Sequence, residues 1–100
     1  MGVTLLYFDD CPHWRLAEAR VREALDHLGS DMVPTLETVS TAEEAERRRF
    51  RGSPTILVGG RDPFASDTDP VGLSCRLYRT EAGLEYAPSV GQLERVLADV

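Results

Sequence analysis

Asp9-Asp10-Cys11-Pro12-His13-Trp14 closes an apolar run, Val3 to Phe8, with a cysteine followed at once by proline. A run of this composition suits a buried strand of a parallel sheet, and the residues beyond Pro12 have helical periodicity, so Cys11 falls where strand passes into helix. Free amide N–H groups and the positive end of a helix dipole stabilise a thiolate at such a junction. Proline at the first helical position gives up only an N–H that had no partner. An imidazolium at His13 adds to this stabilisation, while Asp9 and Asp10 oppose it with negative charge beside the sulfur. Two readings stand at this point: a reactive thiol, or an inert cysteine buried at a helix cap.

Downstream, apolar side chains recur at Trp14, Ala17, Val21, Ala24, Leu25 and Leu28, which is the pattern of an amphipathic helix of about four turns, with Gly29 suited to the left-handed position beyond its end. His27, near the end of that helix on its polar side, reads as a partner for the C-terminal dipole. Thr35 to Val39 reads as a second strand, Pro34 marking its edge or entrance. Thr41-x-x-Glu44 is a capping-box pattern opening a second helix. Ala42, Ala45 and Phe50 form its expected buried stripe, Glu43/Arg47 and Glu44/Arg48 its i, i+4 ion pairs, and Gly52 its end. The arginines Arg47, Arg48, Arg49 and Arg51 follow three glutamates and read as a solvated face.

Ser53-Pro54-Thr55 leads into Ile56-Leu57-Val58, a short buried strand whose proline marks the strand entrance, a bulge or a cis peptide. From Arg61 to Cys75 turn chemistry dominates, with Asp62-Pro63, Ser66, Asp67, Asp69-Pro70 and Gly72. This is a loop, fastened by Phe64 and Leu73 packing inward. Arg76–Thr80 and Leu84–Ala87 flank Glu81-Ala82-Gly83 as a hairpin, or as one strand and a turn. A final helix begins at a Ser89-x-x-Gln92 capping box and presents Val90, Leu93, Val96, Leu97 and Val100 to the sheet.

One hundred residues, 42% of them hydrophobic, suffice for one domain with its own core, spanning 1–100. Seventeen acidic against eleven basic side chains give a formal charge of −6, which argues against phosphate backbones and hence nucleic acid as a partner. The N-terminal apolar run is too short for a signal-peptide core or a membrane span, so the expected location is cytoplasmic with no membrane partner. Cys11 and Cys75 lie 64 positions apart and, in a reducing compartment, are expected as thiols rather than as a structural disulfide. No C-x-x-C or H-x-x-x-H spacing is present, so neither a metal nor another cofactor is expected.

The order strand, Cys-Pro-x-x helix, strand, helix, Ser-Pro-Thr strand, hairpin, helix resembles the thioredoxin-like superfamily across essentially the whole chain. Two motifs carry the resemblance: Cys11-Pro12-His13-Trp14 at the first strand-to-helix junction, and Phe50-Arg51-Gly52-Ser53-Pro54-Thr55-Ile56-Leu57-Val58. More narrowly, Tyr7–Pro12, Gly59–Phe64 and Gly72–Tyr78 are similar to a group of small bacterial thioredoxin-like proteins, some selenocysteine-containing and some labelled alkylmercury lyase-like. The resemblance implies an α/β three-layer sandwich, β-α-β-α-β-β-α, with a central mixed sheet of about four strands. It implies a cis Ser53–Pro54 bond, Pro54 packed against Cys11, and a Ser53 backbone free to pair with an extended thiol substrate. Pro12, Trp14, Ser53, Pro54 and Thr55 would then bind substrate. The chain departs from dithiol members at Trp14, which stands where they carry a second cysteine.

Three functions follow as expectations. In the first, Cys11 is a single motif thiol, assisted by His13, that attacks a disulfide, peroxide or glutathione adduct of a protein or small molecule and is resolved by Cys75 or an external thiol. The second is a non-catalytic binding module using the Trp14 surface. The third is soft-metal or organomercurial chemistry through Cys11, Cys75 and a carboxylate such as Asp10. In the bland reading, Cys75 is a buried small residue between Leu73 and Leu77.

Overall fold

The computed structural model describes residues 2–66 and 69–98; Asp67 of the expected loop and Val100 of the expected final helix face lie outside the described residues. The elements run β1 (Val3–Tyr7), α1 (Trp14–His27), β2 (Thr35–Thr38), α2 (Ala42–Arg48), β3 (Thr55–Val58), β4 (Tyr78–Thr80), β5 (Gly83–Glu85) and α3 (Val90–Leu97). The central sheet is mixed and three-stranded, in the order β2-β1-β3. β1 pairs with β2 in parallel, Thr4 opposite Thr35, and with β3 antiparallel, Leu5 opposite Ile56.

Side chains alternate across β1, so its two faces feed different cores. Val3 and Leu5 join Ala17, Val21, Ala24 and Leu25 of α1 with Leu93 and Leu97 of α3. Leu6 faces the other way and packs with Val39, Ala45 and Phe50. The helices therefore lie on both sides of the sheet, α1 and α3 together and α2 opposite. Their termini follow from local chemistry. Ser89 accepts from the Gln92 N–H at 3.1 Å and the Gln92 side chain accepts from the Ser89 N–H at 2.9 Å, a complete capping box. His27, in the last turn of α1, meets Glu94 of α3 at 2.7 Å, which fastens the two helices to one another.

Several sequence expectations are corrected. The hairpin β4–β5 forms its own two-stranded sheet, so the central sheet has three strands rather than about four. The chain returning from the loop meets the entrance of β3 at a single rung, Ser53 opposite Cys75, and the Pro54 carbonyl accepts instead from the Tyr78 hydroxyl. The α2 helix ends at Arg48 with Arg49 left-handed (φ 52°), not at Gly52. Ala42 is exposed, leaving Ala45 and Phe50 as the buried stripe. Among the described residues neither expected i, i+4 pair of α2 forms; Arg48 reaches across to Glu37 of β2 at 2.7 Å. Leu28 and Leu73 point outward, each about 40% exposed, whereas Phe64 does pack inward and meets Tyr78 edge-on. Among the described residues no helix is long and apolar enough to cross a membrane.

Phe50 is the largest fully buried side chain and anchors the cluster between β1 and α2. Phe50→Ala is expected to destabilise the fold by about 3–5 kcal/mol, read as a lowered urea midpoint with unchanged slope.

Candidate functional site

Cys11 ends the turn that follows β1, its N–H donating to the Phe8 carbonyl at 3.1 Å. The first helical residue is Trp14, with His13 as an N-cap that makes no side-chain capping bond, so Pro12 lies in the preceding turn rather than at the first helical position. Cys11 thus precedes that N-cap by two positions. Its partners are the Ser53 carbonyl at 3.5 Å and the Cys75 sulfur at 2.7 Å. Both cysteines are free thiols, and Cys11 has no exposed surface while Cys75 is exposed.

The main chain brings Cys75 there. Ser53 N–H donates to the Ser74 carbonyl at 2.7 Å, and the Ser53 carbonyl accepts from Arg76 N–H at 2.9 Å, a parallel rung that aims the intervening Cys75 side chain at Cys11. The expectation that the Ser53 backbone is free is therefore corrected: both its groups are taken by the chain's own segment. Close approach is possible because residue 52 is glycine. A Cβ there would lie 2.9 Å from Arg76 Cβ and 3.1 Å from the Ser74 carbonyl, and its φ of +114° is itself one that suits only glycine.

Side chains lock the segment from behind. Arg76 is buried and pairs with the almost equally buried Asp62 at 2.7 Å, so each removes the other's unpaired charge. Arg76 also reaches Thr55 Oγ1 at 3.4 Å, and that hydroxyl donates to the Gly52 carbonyl at 2.6 Å. Burial pushes the Tyr78 phenol well up, which keeps it a neutral donor to the Pro54 carbonyl. The Ser53–Pro54 peptide is cis.

The remaining motif residues surround the pair without joining it. His13 stacks face to face on Tyr86 at 3.7 Å and Trp14 stacks on Tyr7 at 4.2 Å, with the Arg15 guanidinium over the indole. Pro12 is exposed, whereas Ser53, Pro54 and Thr55 are buried. Among the described residues no group of three or more His, Cys, Asp or Glu side chains is placed to hold a metal ion. Asp10 is exposed.

The acidity of Cys75 is set by its surroundings. Although Cys75 as a residue is exposed, its sulfur lies against Cys11. Burial first, then the hydrogen bond to Cys11 and the charge of Cys11, push the Cys75 thiol up to about 11. Cys75 is accordingly a protonated thiol at neutral pH. On its open side lies a cleft of about 370 Å³ bordered by Cys75, Arg51, Arg76 and Arg79.

Residue type and spacing do not mark Asp62, Arg76 and Tyr78 as neighbours of Cys11 and Cys75. The turn signal at Asp62-Pro63 and the lone arginine between apolar neighbours were visible, but their pairing was not. Compared with family models, with curated proteins and with solved structures, the chain matches none.

Two tests follow from this geometry. Gly52→Ala is expected to displace residues 74–76 at a cost of about 1–3 kcal/mol, and to let an alkylating reagent reach Cys11 faster. Unchanged protection of Cys11 would show that the rung does not cover it. In the reduced protein, alkylation of Cys75 is expected to rise with pH toward a midpoint near 11. Cys11→Ala removes the two contributions that come from Cys11 and should bring that midpoint down toward the ordinary thiol value of about 8.5. A midpoint that stays put would assign the shift to burial alone.

Proposed function

We propose that the chain is a thioredoxin-like thiol–disulfide redox protein whose two working sulfurs are Cys11 and Cys75. The observation that carries this is the 2.7 Å approach of the two sulfurs across 64 positions of sequence. A bonded pair stands at about 2.05 Å, so a small adjustment joins them. The second sulfur of the pair comes from the segment facing Pro54, which supplies what Trp14 does not. The cycle is a two-electron exchange. A disulfide substrate takes two electrons and leaves as two thiols, and the protein's two thiols become one disulfide; the reverse step oxidises two external thiols. When the pair opens, the released Cys75 sulfur takes up a proton, since its thiol is pushed up to about 11.

The α/β arrangement supports the resemblance from which this reading starts. β1 and β2 are parallel and joined through α1, and β3 runs antiparallel to β1 from a cis proline. Cys11 packs beside the backbone of Ser53, at the start of the proline strand. His13 has a structural part in this reading, since its ring is stacked on Tyr86.

Mild oxidation of dilute protein is expected to remove both titratable thiols without forming dimers, with a Cys11–Cys75 peptide recovered by mass mapping. Cys11→Ser and Cys75→Ser should each abolish turnover of a disulfide substrate in the presence of a reductant. Retention of both thiols under oxidation, or undiminished turnover in either variant, would sink the proposal.

A further inference from the structure

We infer that the substrate of this pair is a small thiol that carries a carboxylate, and that it engages the protein at Cys75, with Cys11 as the departing sulfur. The inference rests on Cys11 and Cys75 being a redox pair and assigns that pair its substrate class and its point of attack.

Access decides which sulfur is met first. Cys11 is wholly buried, whereas Cys75 borders the cleft. An extended peptide would dock on the main chain of Ser53 by strand addition, but both Ser53 groups are already paired with Ser74 and Arg76. What remains open is the cleft, whose volume of about 370 Å³ suits a small molecule rather than a strand.

Charge decides what kind of small molecule. Three guanidiniums, of Arg51, Arg76 and Arg79, border the cleft, and Arg76 is already matched by Asp62. Asp69 is the carboxylate among the described bordering residues, and it accepts the Ser66 N–H at 2.8 Å. Arg51 and Arg79 form no ion pair among the described residues, and Arg51 Nε is buried without a hydrogen-bond partner. A buried donor left unmade is costly, and a carboxylate is the acceptor whose geometry fits a guanidinium. A locally cationic cleft on a chain of net charge −6 also selects against the field of the whole molecule, which would favour cationic thiols.

The exchange balances as follows. The thiolate of the acid attacks Cys75 Sγ of the oxidised pair; the sulfur–sulfur bond breaks and its electron pair leaves on Cys11. A second molecule attacks the acid's own sulfur in the mixed disulfide and releases Cys75, which takes up a proton. Two acid thiols become one disulfide, and the protein disulfide becomes two thiols.

The test reduces the oxidised full chain with 3-mercaptopropionate, 2-mercaptoethanol and cysteamine at equal thiolate concentration and low salt, following free thiols. Expected is an order acid, neutral, amine, with the acid about tenfold faster than the neutral thiol, as one charge-assisted hydrogen bond supplies. The acid-to-neutral ratio should fall toward one in Arg51→Gln and in the exposed-site variant Arg79→Gln, and the quenched adduct should map to Cys75. Equal rates for the three thiols, a ratio that neither variant moves, or an adduct on Cys11 would overturn the inference while leaving the redox pair in place. If no Cys11–Cys75 disulfide can be prepared, the reading beneath it fails and this one with it.

Discussion

Two backbone hydrogen bonds at Ser53, one to Ser74 and one from Arg76, hold the candidate site together. They are ordinary in kind, but the molecule is arranged so that they can form. Gly52 clears the space, the Asp62–Arg76 ion pair fixes the returning chain from behind, and Tyr78 satisfies the proline carbonyl that lies beside the rung. The rung gives Cys75 its bearing on Cys11, and the Gly72 N–H bond to the Phe50 carbonyl and the Arg76 contact with Thr55 join the same two segments on either side of it. A covalent neighbour four positions along a helix would be positioned by the helix itself. Here a distant cysteine is positioned by tertiary structure, so the geometry of the pair is a reading of the integrity of the whole domain.

Much of the frame was legible in the sequence because it rests on local rules. The apolar run of β1, the helical spacing from Ala17 to Leu25 and the Ser89/Gln92 capping box each need only neighbouring residues to be recognised, and each is found. The Cys11 and Ser53-Pro54 motifs, distant in sequence, meet in the fold, where the Cys11 sulfur contacts the Ser53 carbonyl. The misplacements have a common physical origin. Gly52 was assigned to a helix end, a local role, whereas it serves a long-range approach to Arg76. The fate of the Ser53 backbone could not be read from residue type at all, since main-chain donors and acceptors are the same at every non-proline residue. An apolar Leu73 suggests an inward side chain, yet at that position the strap is held by the neighbouring main chain and by Arg76, and Leu73 points outward.

The inequality of the two sulfurs is also tertiary in origin. Cys11 is buried and Cys75 borders open space. The Cys75 thiol is held protonated in part by Cys11 itself, so its acidity belongs to the pair and not to the residue. No inspection of Ser74-Cys75-Arg76 in isolation would suggest a poorly acidic thiol, since an adjacent arginine ordinarily favours the thiolate. The causes that raise the Cys75 thiol are burial and Cys11, neither of which is visible in that tripeptide.

The 64 positions between the cysteines have a thermodynamic meaning of their own. A bond between them would close a ring through α1, β2, α2 and β3, with β1 and α3 outside it. On chain-entropy grounds, a ring of that length restricts the unfolded chain enough to favour the native state by about 4 kcal/mol. Oxidation and folding are then coupled reservoirs: each electron pair delivered to the site slackens the domain, and each one withdrawn tightens it.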